Sequence, residues 1–239
     1  MLYLLRKQII LIFFFLPFAV SLHAQKDLNR PNHDNLPYYF GLTFGYSSMN
    51  LHTEKDLRFL EYDSVLSVEP GASGGFSAGL LATINLNQRF EFRIAPQLIV
   101  GGAKYFTYSL KYPNSLETPI EKKTLPSTIF SLPLQVKFNS DRINNFRVYV
   151  IGGLTYDIDL ASNSNERNAE DLVKLKKNDY AIETGVGFNF FMKFVTLSPE
   201  IKFHNGLGNI HDRDPNLKFS NVLGDLKSRM IIFSINIEP

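Results

Sequence analysis

Two groups of residues in this 239-residue sequence have types that could do chemistry. In the first, Asp212, Asp214 and Asn216 have the spacing of the opening ligands of a calcium loop. Such a loop also needs a glycine at its sixth position and an acidic ligand at its twelfth, where this chain has Leu217 and Leu223. We therefore expect a solvated external loop here, and no metal site.

The second candidate is an acid–base pair. His204 with Asp157 or Asp159 is the one combination that could transfer a proton, as a hydrolase requires. The same side chains fit a buried charge network that performs no reaction. The sequence also contains no glycine-rich nucleotide fingerprint and no phosphate-binding Gly-Lys-Ser/Thr motif. We predict no catalytic residue, no cofactor and no enzymatic activity.

Overall composition excludes several classes of protein. The chain has 25 basic and 23 acidic residues, so its formal net charge of +2 creates no general field that would attract nucleic acid or anionic lipid. Cysteine is absent, which excludes disulfides, thiolate metal sites and thiol nucleophiles.

Most of the chain after residue 37 alternates apolar and polar residues with period two, the pattern of strands with two different faces. About eight such runs are present, each near the ~10 residues that a tilted strand needs to cross hydrocarbon. The runs cover residues 38–47, 75–86, 90–101, 130–138, 146–160, 180–190, 195–204 and 230–237.

The polar faces of these runs mix small residues with charges of both signs, whereas the other faces carry almost no charge. This distribution favours an eight-stranded antiparallel transmembrane β-barrel with an inward polar face, since lipid tolerates no charge near the midplane. A soluble β-sandwich is the alternative. For the barrel we expect a neutralising network in the lumen, formed by Glu91, Arg93, Lys137, Arg147, Asp157, Asp159, Glu183, Glu200 and Lys202.

Connections of two lengths alternate along the chain. Residues 87–89, 139–145 and 191–194 are short, whereas residues 51–74, 104–126, 161–179 and 205–229 are long and polar. Outer-membrane barrels have short periplasmic turns and long external loops. We therefore expect long extracellular loops and both termini in the periplasm.

The N-terminus has the pattern of a secretory signal. Arg6 and Lys7 precede an apolar run over residues 9–20, which is shorter than a spanning helix needs, and Ala24 offers a cleavage site. An N-terminal anchor helix is the alternative. The predicted organisation is a signal peptide over residues 1–24, a short periplasmic N-terminal segment over 25–37 that acts as a tether, and an outer-membrane barrel over 38–239.

Three ordered segments resemble a known family. They are residues 144–153 (NNFRVYVIGG) continuing to 161, residues 173–188 (VKLKKNDY through ETGVGF), and residues 197–228, with LSPEIK, GLGN, FSN and LKS. Together they are similar to the PorT family, called SprT in gliding bacteria, of the type IX secretion system of Bacteroidetes. The resemblance extends over essentially the whole mature chain.

The resemblance implies an outer-membrane component that is required for type IX export of surface and secreted proteins, and for gliding in some relatives. It implies no catalytic residues. The partners expected are outer-membrane lipid and other type IX secretion components, with no nucleic acid and no small-molecule substrate. A small outer-membrane channel, or a barrel enzyme unrelated to secretion, are the alternatives.

Overall fold

The fold is almost entirely β-strand. The computed structural model describes residues 28–56, 65–113, 118–162, 173–213 and 218–239, so the predicted signal peptide lies outside the described residues. A 3-10 helix spans His33–Asn35 and a four-residue helix, α1, spans Lys218–Asn221. The strands are β1 Tyr38–Lys55, β2 Val65–Gly71, β3 Ser73–Asn85, β4 Phe90–Ile94, β5 Gln97–Val100, β6 Lys104–Leu110, β7 Ile120–Leu125, β8 Thr128–Asn139, β9 Phe146–Asp159, β10 Asn178–Phe191, β11 Thr196–Gly206 and β12 Leu223–Glu238.

Nine of these strands form one closed antiparallel ring. β1 pairs with β12 on one side and with β3 on the other, so neither end of the sheet is left unpaired. β4 and β5 both lie between β3 and β8, and therefore count as two halves of one strand. The ring thus has eight strands, which confirms the predicted all-β, eight-stranded antiparallel architecture. Closure satisfies the hydrogen-bonding groups that an open edge would expose.

The run over residues 90–101 was expected to be one strand, but the structure divides it at Ala95 and Pro96. Proline has no N–H group, so it cannot donate in a strand ladder. The carbonyl of Pro96 still accepts a bond from the Leu80 N–H at 3.0 Å, and Ala95 donates to the Pro133 carbonyl at 3.2 Å. The break therefore interrupts the ladder without changing which residues face inward.

The two faces of the ring differ sharply in chemistry. Along β10 the outward residues run from Tyr180 to Phe190, and Ile182, Val186 and Phe188 between them are exposed. Ten residues of antiparallel strand extend about 34 Å, and a tilt of 35–45° reduces that height to about 26 Å, close to the ~25 Å apolar band of membrane barrels. The inward positions between Tyr180 and Phe190 on the same strand are polar or small.

The predicted long polar loops are partly folded, which corrects that expectation. β2, β6 and β7 form a separate three-stranded sheet at the long-loop end, and β1 and β12 extend past the ring to meet it. We call this region, with α1 and residues 173–177 and 207–213, the cap. Its interior is an apolar cluster of Leu51, Val65, Val68, Phe106, Tyr108, Leu110, Leu125, Val173, Leu175, Ile210, Phe219, Val222, Leu223 and Leu226. The long segments are polar on average, but each contains a few spaced apolar residues. Together these residues are enough to form a core, although the average polarity of each segment does not indicate one.

The N-terminal segment contacts the short-turn end of the ring. Asn29 donates to the Phe191 carbonyl at 3.0 Å, and Arg30 donates to the Thr196 hydroxyl at 2.6 Å. The buried His33 ring lies 5.1 Å from that of Tyr39 and 5.5 Å from that of Phe191. From Leu28 onward, therefore, this segment is docked across the short-turn mouth, where the sequence suggested a tether.

Candidate functional site

The main candidate site is a network of charges inside the ring, centred on Arg93 of β4. One guanidinium nitrogen lies 2.5 Å from the Glu200 carboxylate, and the other lies 2.8 Å from that of Glu238. β4 and β11 are not neighbours in the ring, because β8, β9 and β10 separate them. The ion pair of Arg93 with Glu200 must therefore cross the interior, and the interior at this level is occupied by side chains.

Two tyrosine hydroxyls donate hydrogen bonds to carboxylates of this network. Tyr149 donates to Glu200 at 2.5 Å, and Tyr39 donates to Glu91 at 2.9 Å. Gly187 lies between Tyr149 and Glu200 in the strand register. A Cβ atom at that glycine would lie 2.3 Å from the Tyr149 ring, so only glycine lets the tyrosine cross β10 to reach its acceptor.

Further charges are paired on either side of Arg93. Lys137 lies 3.1 Å from Glu91 and 4.1 Å from the centre of the Tyr149 ring. Lys202 lies 3.2 Å from Glu183, which also accepts a hydrogen bond from Gln135 at 2.7 Å. Arg and Lys donors that meet carboxylates in this way form charge-assisted bonds, the strongest class of hydrogen bond in proteins.

The remaining predicted network residues lie nearer the two ends. At the cap end Asp159 is 3.4 Å from Lys104 and accepts a bond from the Ser127 hydroxyl at 2.8 Å. At the short-turn end the Arg147 guanidinium lies 5.6 Å from the centre of the Phe191 ring. The structure thus places all nine predicted residues on the buried face, with exposed fractions of 0–8 %.

Sequence reasoning did not identify every member of this interior. Glu238, Lys104, Tyr39 and Tyr149 complete the network. Period-two counting from Asn236 would have assigned Glu238 to the inward face, whereas Lys104 lies in a segment that was expected to be a loop. Among the described residues, five buried cations meet six buried carboxylates, so the interior is close to neutral.

His204 and Asp157 are adjacent, as the hydrolase alternative requires. The nearest nitrogen and oxygen atoms lie 3.2 Å apart, and the two residues are 1 % and 4 % exposed. The nearby cavity, lined by Asp157, Lys104 and Asp179 among others, measures about 20 Å³. That volume matches about one water molecule.

The calcium-like segment differs from expectation. His211 is buried, its Nδ1 lies 2.9 Å from the Gly224 carbonyl and its Nε2 lies 2.9 Å from the Ser220 hydroxyl. Since a carbonyl only accepts, Nδ1 carries the proton and Nε2 accepts from Ser220. Burial lowers the pKa of His211, partly offset by the Gly224 contact. His211 is therefore part of the cap interior, which corrects the expectation for this residue, whereas Arg213 is exposed. Residues 214–217 lie outside the described part of the chain.

Two further features are absent from the described residues: a metal site and a membrane-spanning helix. Across the described ranges, no group of three or more His, Asp or Glu side chains is placed to hold a metal ion. In the same ranges, every helix is too short and too polar to cross a bilayer.

A family model for the outer membrane protein β-barrel domain matches residues 23–212. The chain belongs to this family. The model covers most of the sequence, including seven of the eight strands of the ring. No match was found among curated proteins.

Several solved bacterial surface and outer-membrane proteins are similar to this chain at low identity. OprG from Pseudomonas aeruginosa is similar with a TM-score of 0.43 and 14 % identity, over 83 % of this chain and 92 % of that chain. Neisserial surface protein A gives a TM-score of 0.38 and 13 % identity, over 83 % and 96 %. Ail of Yersinia pestis gives 0.38 and 9 %, over 85 % and 100 %.

As a member of the outer-membrane β-barrel family, the protein lies in the outer membrane. Its exposed apolar band then faces lipid, and its ion pairs fill the lumen. Barrels of this class have short turns on the periplasmic side and long loops outside. This rule places the cap at the cell surface and the docked N-terminal segment in the periplasm.

Proposed function

We propose that this outer-membrane barrel is a non-enzymatic component of the type IX secretion machinery, required for export of surface and secreted proteins and, in some relatives, for gliding. The ordered segments over residues 144–161, 173–188 and 197–228 support the secretion role through their resemblance to the PorT family. The proposal that the barrel is neither an enzyme nor a pore is supported mainly by one observation. The ion pair of Arg93 with Glu200 crosses the lumen and fills it at that level.

The geometry argues against export through this chain itself. An eight-stranded barrel is just wide enough for side chains to fill it. Here Arg93 and its partners occupy the centre, an apolar layer that includes Met49, Ile99 and Met230 lies above them, and the segment around His33 covers the short-turn mouth. A folded cargo protein has no path, so the role that fits is contact with other components of the machine.

The geometry argues similarly against catalysis. His204 and Asp157 lie beneath the cap, and within the described residues their side chains are almost fully buried, which does not favour contact with a substrate. Their proximity fits a buried polar network that performs no reaction. The partners that fit are lipid and other type IX components, reached through the cap, the short turns or the outer wall, with no nucleic acid and no small-molecule substrate.

A deletion strain of the native host tests the secretion role. We expect type IX cargo to be retained in the cell, and export to be restored by the wild-type gene supplied in trans. The protein with His204→Asn should restore export equally, because that histidine has no catalytic task in this proposal. Normal export without the gene would overturn the secretion role.

Recording in planar bilayers tests the closed lumen separately. We expect the purified protein to give no stable, ion-selective openings. Regular openings of one conductance would favour the channel alternative, whatever the deletion strain shows.

A further inference from the structure

The outer wall changes character where β11, β12 and β1 leave the apolar band. On β12 the outward residues are Ile235, Phe233 and Ile231, followed by Arg229 and Lys227 and then by the acidic Asp225. The order toward the cell surface is therefore apolar, cationic, acidic. A lipid leaflet has the matching order of acyl chain, phosphate and solvent.

The neighbouring strands contribute polar groups at the same level. Asn50 of β1 and Asn205 of β11 are the register partners of Arg229 on its two sides, and His52 is the partner of Lys227. The side chains of Asn50, Asn205 and Arg229 are exposed. Two amides and two cations thus form one continuous patch on the outside of the wall.

A surface depression of about 330 Å³ lies in this patch. Phe203, Ile231 and Ser48 line it toward the apolar band, while Arg229, Asn50 and Asn205 line it toward the cap. Phe203 and Ile231 are 47 % and 41 % exposed, so each presents an apolar surface to whatever occupies the depression. One end of the site suits an acyl chain and the other an anionic oxygen group.

The two cations have no protein partner in the described parts of the chain. Neither Arg229 nor Lys227 makes a side-chain ion pair or hydrogen bond there, whereas Arg213 on the cap is held by Asp56 at 2.7 Å. The lumen cations Arg93, Lys137 and Lys202 are all paired with carboxylates. The cations on the wall therefore remain available to a ligand.

The height of Arg229 agrees with that of a lipid phosphate. Two residues of strand separate it from Ile231, which is about 7 Å along β12 and about 5 Å along the membrane normal after the usual tilt. The headgroup layer of a bilayer is about 5–8 Å thick on each side. Arg229 therefore lies within that layer, and Lys227 lies at its outer margin.

We propose that Arg229 and Lys227 bind the phosphate of an anionic lipid in the outer leaflet, with Asn50 and Asn205 donating to its headgroup and one acyl chain against Phe203 and Ile231. Guanidinium groups bind phosphate with two parallel hydrogen bonds. The inference uses the membrane location and the wall geometry, and it does not depend on the secretion role.

Native mass spectrometry of the full-length mature protein, released from detergent micelles doped with one lipid at a time, tests the site. The probes are lipid A, phosphatidylglycerol and the zwitterionic phosphatidylcholine. We expect retention of the two anionic lipids to fall about fivefold for Arg229→Gln and further for Arg229→Gln with Lys227→Gln. Phosphatidylcholine retention should be low and unchanged.

Lys177→Gln is the matched control, since it removes one exposed cation from the cap and leaves the wall intact. We expect it to retain anionic lipid as the wild type does. The variants' folding is checked by the gel shift that distinguishes folded barrels from heated ones. Equal retention by folded wild type and double variant, or an equal loss in Lys177→Gln, would overturn the proposal.

Discussion

The ring and the cap bury opposite kinds of side chain. Inside the ring lie Arg93, Lys137 and Glu200, while the outside is apolar. Inside the cap lie Phe106, Phe219 and Leu226. Water surrounds the cap, so the hydrophobic effect draws apolar groups inward there. Lipid surrounds the ring, so the hydrophobic effect does not favour burial of apolar side chains there. Charged side chains instead face the lumen, where they pair with groups of opposite charge.

The largest effect should come from breaking the lumen network. Arg93→Met leaves Glu200 and Glu238 without their shared cation, and removal of one partner from a buried pair costs about 3–5 kcal/mol. We expect a matching loss in the free energy of unfolding, measured by urea titration in detergent micelles. The control is Arg89→Met at the short-turn end, whose exposed pair with Asp141 is worth at most about 1 kcal/mol. Equal losses in the two variants would show that the buried pair stabilises the fold no more than the exposed pair does.

The next effect should be confined to the cap. Leu226 is fully buried, and Leu226→Ala should destabilise the cap by about 2–5 kcal/mol through lost packing and a residual cavity. We expect faster cleavage of the external segments by protease added to whole cells, with unchanged urea unfolding of the ring. Leu207→Ala, at a position 55 % exposed, should change neither. A cap variant that unfolds the ring would show that the two regions are one cooperative unit.

A charge on the lipid side gives a depth-dependent effect. Val186 lies near the middle of the outward face of β10, where an arginine costs about 2–4 kcal/mol, and Tyr180 lies at its cap end, where the cost is about 0–1 kcal/mol. We therefore expect Val186→Arg to reduce refolding into lipid vesicles much more than Tyr180→Arg, as measured by the gel shift. Equal refolding yields for the two variants would contradict the placement of Val186 near the middle of the bilayer and of Tyr180 near its surface.

The smallest effect should come from pH. Because the pKa of His211 is lowered in the folded cap, the unfolded cap binds more protons between the folded and unfolded values. Neutral His211 therefore stabilises the folded cap fully above about pH 6.5, the pKa of histidine in an unfolded chain. This stabilisation is lost as the pH falls below that value toward the lower pKa of the folded cap. Protease sensitivity of the cap should rise over that window in the wild type. In His211→Asn the sensitivity should start higher and lose this pH dependence.

Much of the ring could be predicted because alternation is a local property. The period-two runs place Phe44, Val186 and Phe233 on the apolar outer face. They place Arg93, Glu183 and Glu200 on the polar inner face. The strand expected over residues 90–101 is present but is divided into two at Pro96. Whether a missing N–H interrupts a strand depends on the pairing with its neighbour, and the sequence alone does not give that pairing. The cap was missed because its apolar residues come from four separate segments, and no one segment looks like a core.

The sequence by itself therefore determined the strands of the ring and which face of each is apolar or polar, because a side chain's direction in a strand follows from its position alone. The tertiary structure decided the partners. Arg93 meets Glu200 across three intervening strands, and the docking of His33 depends on Tyr39 and Phe191 lying at one mouth. Those distances follow from ring closure and strand register, which are long-range properties that a local pattern does not encode.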